Sequence, residues 1–172
     1  MPANNNHPVW DLYDWLRTAR LNAEYYVIKG DRADKTNTRM EIFLAVVVPG
    51  SAVAAIPLWQ FPVAAGFWAL LSGTAAIAAI AKPFLRLTDK CKDYHSVAAR
   101  YRMHEGDLSE LRAEIKLNGA YTDAIQDRFR TVLKSLTRTA EFEPKEEMDE
   151  NLRERLYERV NQELPLGSFF VP

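Results

Sequence analysis

Apolar residues recur along most of this chain at the spacing of one helix face, and one long block breaks that rule. Near the start, Val9, Leu12, Tyr13, Leu16, Ala19, Ala23, Tyr26 and Val27 fall at three- and four-residue intervals, which predicts an amphipathic helix. Pro8 stands where a helix begins, and Gly30 where one closes in the left-handed region. Residues 31–37 then read as a polar link. Farther along, Leu87, Tyr94, Tyr101, Leu108 and Ile115 recur every seven residues, with Phe84, Cys91 and Ala98 in the complementary position. This heptad pattern predicts a stalk helix that continues from the preceding uncharged block through Lys82-Pro83 and carries a coiled-coil-like seam, packed either within the chain or between subunits. Asn118-Gly119 ends it. Two more helices are predicted, over about 121–141 with Ile125, Phe129, Val132, Leu133 and Leu136 on one face, and over about 145–163 with Met148, Leu152, Leu156 and Val160. Pro165 stops the last one, and an apolar tail follows. No strand pattern longer than a few residues appears.

The exception is residues 42–81, 40 consecutive positions without Asp, Glu, Lys, Arg or His. One helix needs about 20 apolar residues to cross a hydrocarbon core of ~30 Å. The block is therefore long enough for two crossings, expected at about 40–58 and 63–85. Pro57-Leu58-Trp59-Gln60-Phe61-Pro62 supplies the turn between them, with two aromatic rings suited to the interface. A buried hairpin in a soluble protein is the competing reading, but a chain of this length has little polar mass to surround one. Lys29, Arg32, Lys35 and Arg39 precede the block, Lys82, Arg86, Lys90 and Lys92 follow it, and the turn carries no cation. The positive-inside rule then places both termini in the cytoplasm. The expected fold class is an all-α membrane protein. It comprises an N-terminal amphipathic helix and link (residues 1–38), a two-transmembrane hairpin (39–85) and a cytoplasmic helical stalk or bundle (86–172).

The two spans differ in kind. Pro49-Gly50 interrupts the first, frees the carbonyl of Ala45 and marks a candidate hinge. Eight of the nineteen residues at 63–81 are Ala. Ala65, Ala69 and Gly73 form one small-residue ridge, and Ser72 with Ala76 continues another. Such ridges let helices approach closely in lipid. They fit packing within one hairpin, or a homo-oligomer, expected as a tetramer, with second spans near its axis.

Composition removes most other chemistry. With 22 Lys and Arg against 23 Asp and Glu, the chain lacks the basic excess of a general duplex nucleic-acid binder. A single cysteine, Cys91, excludes an intrachain disulfide or a thiolate metal site. His95 and His104 lie nine residues apart, out of rotation for adjacent-turn metal ligation. There is no phosphate-loop motif and no nucleophile paired with a base. No enzyme and no cofactor are expected, and the acidic run at 141–150 reads as a solvated helix start. One place suits a small anion: Trp10, Tyr13, Trp15, Tyr25 and Tyr26 sit among Arg17, Arg20, Lys29 and Arg32. Aromatic faces stack bases and guanidinium groups meet phosphates. Arg17, Arg20, Tyr25, Tyr26, Lys29 and Arg32 are the candidate nucleotide-binding residues. The other reading packs these aromatics on the stalk or on the bilayer surface.

The order of parts resembles a known family. An N-terminal helix carrying Tyr25-Tyr26, a two-span hairpin, the stalk segment YHSVAARYRMHEGDLSEL and a terminal helix ending in NQELP are similar to the SLATT superfamily. These are the SMODS- and SLOG-associating two-transmembrane effectors of bacterial conflict systems. The resemblance covers nearly the whole chain. It implies a pore-forming effector of antiphage defence, controlled by a nucleotide or oligonucleotide from a partner nucleotidyltransferase or reverse-transcriptase system. Opening would depolarise the membrane and arrest growth, and no catalytic residues carry over. A passive membrane scaffold, anchoring a soluble partner through the stalk, is the alternative.

Overall fold

A computed structural model describes the backbone at residues 7–53 and 62–172 and the side chains at 7–47, 66, 70–83 and 85–172. Among these residues the chain is all-helical: α1 (Val9–Val53), α2 (Pro62–Leu85), α3 (Leu87–Asn118), α4 (Asp123–Ala140), α5 (Glu150–Glu163) and a 3-10 turn (Leu166–Ser168). The chain forms two units, Met1–Lys29 with Asp93–Pro172, and Gly30–Lys92.

The first unit is a bundle of four helical segments. The predicted face of α1 is its inner face: Val9, Leu12, Tyr13, Leu16, Ala19, Ala23 and Tyr26 are all buried, and only Val27 sits at the margin. The heptad positions Tyr94, Tyr101, Leu108 and Ile115 of α3 are buried within the chain's own bundle. The seam is thus intramolecular. Ile125, Phe129 and Leu136 from α4 and Leu152, Leu156 and Val160 from α5 complete the core. Each fully buried Leu, Ile or Val contributes about 1.5–3 kcal/mol relative to exposure. His104 lies in the same core and pairs through Nε2 with Thr139 Oγ1 at 2.9 Å. Burial holds its pKa below the usual imidazole range.

Local signals fix the helix ends. Gly119, at φ 64°, donates its N–H to Ile115 O at 2.9 Å and closes α3 in a conformation that a side chain would oppose. Thr122 and Asp149 cap α4 and α5 by accepting from the N–H groups of Ile125 and Leu152. The apolar tail docks back on the bundle. Phe169 stacks on Tyr13 with centroids 4.2 Å apart, Tyr13 donates its hydroxyl to Phe170 O, and Arg112 covers Phe169 at 4.8 Å.

Three sequence expectations need correction. Gly30 does not end the first helix, and residues 31–37 are helical rather than a link. A mid-helix glycine costs only about 1 kcal/mol, no proline follows it, and Thr36 turns its hydroxyl back onto Arg32 O. The last helix begins at Glu150 rather than near 145, because Asp149 caps it. Met148 is correspondingly exposed. The second predicted span does not run unbroken into the stalk either. Arg86, at φ 45°, separates α2 from α3, three residues beyond Pro83.

In the second unit, Lys82 Nζ lies 2.9 Å from Glu41 Oε1, tying α2 to α1. Asn37 donates to the same carboxylate at 3.1 Å. Val47 and Ala75 are buried, whereas Ile42, Val46, Leu70, Ile77 and Ile80 are 60–69% exposed. Cys91 is half-buried. Among the described residues no single helix is long and apolar enough to cross a membrane. Leu70–Pro83 with Leu87–Asn118 reach that mark only together, by length and composition. The turn expected at 57–62 falls almost wholly outside the described residues.

Candidate functional site

The six candidate nucleotide-binding residues do not form one site. Tyr25, Tyr26 and Lys29 come together on the bundle; Arg20, Arg17 and Arg32 lie elsewhere.

Arg20 is spent on acids of the bundle itself. Its guanidinium meets Glu24 at 3.0 Å, Glu105 at 2.9 Å and Glu163 at 3.2 Å, joining α1, α3 and α5. An incoming phosphate would compete with three carboxylates. Arg17 faces a different cavity of about 310 Å³, lined also by Asp14, Thr18, Tyr157 and Asn161. Its ion pair to Asp14 is 3.8 Å long. Arg32 is exposed and belongs to the second unit.

Around Tyr25 and Tyr26 the chain builds an aromatic and acidic cluster. Consecutive positions on α1 point two rings in different directions, so Tyr25 and Tyr26 meet edge to face at 5.2 Å. The seven-residue spacing of α3 brings Tyr94 and Tyr101 alongside. Tyr26 stacks against both, at 6.2 and 6.1 Å. The segment between α4 and α5 then closes over the hydroxyls. Tyr101 donates to Glu143 Oε1 at 2.5 Å, Tyr94 donates to Glu146, and Tyr25 accepts the N–H of Asp149 at 3.0 Å. Lys29 Nζ sits 6.0 Å from the ring centroid of Tyr25 and 5.8 Å from that of Tyr94. Burial raises the pKa of Tyr26, Tyr94 and Tyr101, and the neighbouring carboxylates raise it further. All three hydroxyls are therefore held protonated, as donors.

Sequence reasoning found Tyr25, Tyr26 and Lys29 but paired them with an anion. The carboxylates opposite them came from the run read as a solvated helix start. Its signal was the proline: Glu143-Pro144 cannot continue α4, so the chain turns there and brings acids back over α3.

The remaining candidates lie in the second unit. Ser72 is half-buried, while Gly73 and Ala76 are exposed. A Cβ built on Gly73 would meet nothing within 4 Å. The side chains of Ala65 and Ala69 lie outside the described residues. So do those of Pro49 and Gly50, whose backbone belongs to α1. Among the described residues no group of three or more His, Cys, Asp or Glu is placed to hold a metal ion. No protein-family profile, curated protein or solved structure matches the chain.

Proposed function

We propose that this chain is a two-span protein of the bacterial inner membrane that assembles with copies of itself into a pore. In this reading it is an effector of antiphage defence of the SLATT kind, whose opening depolarises the membrane and arrests growth. One observation carries the membrane part. In an uncharged stretch of 40 residues, Ile42, Val46, Leu70, Ile77 and Ile80 keep 60–69% of their surface uncovered by the chain. In water each uncovered side chain of this size forfeits about 1.5–3 kcal/mol of burial; in lipid, or against another copy, nothing is forfeited. The cations flanking the stretch put both termini in the cytoplasm.

The regulatory part rests on connectivity. One continuous helix, α1, contributes to the core of the bundle and also contains residues 42–53, the start of the uncharged stretch. A ligand acting on the bundle therefore acts on the element that enters the membrane. For a nucleotide or oligonucleotide signal, Arg17 is the candidate guanidinium that faces a cavity, with Tyr157 and Asn161 lining it too. A pore lined by Ala, Gly, Ser and Thr would close by dewetting and select poorly among small ions.

Topology is tested with cysteines in a Cys91→Ser background. Cysteine at Gln60 should react with an impermeant thiol reagent in intact spheroplasts, and cysteine at Ser168 only after permeabilisation. Labelling of Ser168 but not Gln60 in intact cells would overturn the arrangement.

A further inference from the structure

The tyrosine cluster has the chemistry of a cation site, and its present occupant is the chain's own lysine. The rings of Tyr25 and Tyr94 face one ammonium, Lys29 Nζ, at 6.0 and 5.8 Å from their centroids, within the range of cation–π attraction. The cavity there, about 70 Å³, is lined by Tyr25, Tyr26, Tyr94 and by the carboxylates of Glu143, Glu146 and Glu147. Glu143, Glu146 and Glu147 on its wall outnumber the one ammonium there, Lys29. A second cavity, about 200 Å³, flanks the same Tyr25 and Tyr26 and presents Leu21 and Met148, with Asn22, Glu143 and the cation Arg153 on its remaining wall. A small head space with carboxylates, rings on its wall and apolar surface beside it suits one kind of guest.

We propose that this cluster is a binding site for a small organic ammonium ion, a primary ammonium on an unbranched aliphatic stem, which replaces Lys29. Tyr25 and Tyr94 offer their ring faces to the head, Glu143, Glu146 and Glu147 offset its charge, and Leu21 with Met148 cover the stem. An anion is disfavoured there by the same carboxylates. Lys29 competes as a tethered guest, and a short tether corresponds to a millimolar or higher local concentration. Wild-type affinity is accordingly weak, and removal of Lys29 unmasks the site. Lys29 is also the last α1 residue of the bundle unit, directly before Gly30, so its release changes the bundle where α1 leaves it. The assignment does not depend on the membrane reading.

The probe is n-butylammonium, the Lys29 side chain in detached form. Its binding is followed by calorimetry on the full chain in detergent, at constant ionic strength with sodium as the balancing cation. Lys29→Ala is expected to bind it at least tenfold more tightly than wild type. Adding Glu147→Gln to that variant should weaken binding several-fold. If Lys29→Ala lowers the melting temperature, n-butylammonium should restore it and sodium should not. Should Lys29→Ala fail to fold, Lys29→Met, which keeps a stem and loses the charge, carries the same comparison. Equal affinity of wild type and the Lys29 variant, indifference to Glu147→Gln, or equal restoration by sodium would each overturn the site.

Discussion

Gly73→Leu is expected to leave the bundle folded and to break the assembly of the membrane segment. Gly73 is exposed, and a Cβ there meets nothing within 4 Å, so leucine costs the single chain little. Between chains the effect is opposite. Lipid supplies no hydrophobic drive for helix association, and close approach over small residues provides the packing instead. A leucine on the ridge holds the facing helix several ångströms away and removes that contact along its length. Chemical cross-linking of the detergent-solubilised protein should give the oligomer, expected as a tetramer, for wild type and mainly monomer for the variant. Their melting temperatures should agree. An unchanged oligomer would mean that this ridge faces lipid and that assembly uses another surface.

The largest loss of stability is expected at Tyr26. The residue is 6% exposed, and its ring stacks on Tyr94 and Tyr101 and meets Tyr25 edge to face. Truncating a buried aromatic costs about 3–5 kcal/mol, a large share of the 5–15 kcal/mol that holds a typical domain together. Tyr26→Ala should therefore unfold the bundle at a much lower urea concentration. Tyr101→Phe keeps the ring and loses the hydroxyl's bonds to Glu143 and Asn22, at a cost of about 1–3 kcal/mol. The cluster also sets a pH limit. The pKa values of Tyr26, Tyr94 and Tyr101 are raised on folding. Their contribution is thus fully present below the ordinary tyrosine pKa of about 10 and is lost as pH climbs beyond it. Urea titrations at pH 8 and pH 11 should show the drop, reduced in Tyr101→Phe. Tyr26→Ala within 1 kcal/mol of wild type would remove the cluster from the core.

Much of the bundle was legible because helical periodicity reports burial directly. The α1 face and the α3 heptads were read from spacing alone, and every heptad tyrosine lies inside. Helix ends were legible where one residue decides them, as Gly119 does. They were misread where tertiary context overrides a local signal. Gly30 is a plausible terminus by propensity, yet a helix held at both sides absorbs one glycine. Met148 fits the α5 periodicity but precedes the Asp149 cap, and periodicity carries no record of caps. The site was misread for a related reason. Tyr25, Tyr26 and Lys29 were found together on one helix, but their partners, Glu143 and Glu146, lie over a hundred positions away. Only the fold brings acids to the aromatics, and it reverses the charge of the ligand they suit. Arg20 is the mirror case: a cation that looked free in sequence is claimed by Glu105 and Glu163 from distant helices.

The proposed pore has one immediate consequence, loss of the membrane potential, which can be followed in cells. The chain is expressed from an inducible promoter in a bacterial host, with and without phage challenge and its neighbouring genes. A voltage-sensitive dye follows the potential, with Gly73→Leu at matched membrane levels as the reference. Wild type should depolarise the cells once activated, before lysis, and the variant should not. A wild-type chain that reaches the membrane, assembles and leaves the potential unchanged under every one of these conditions would contradict the pore and identify a passive scaffold.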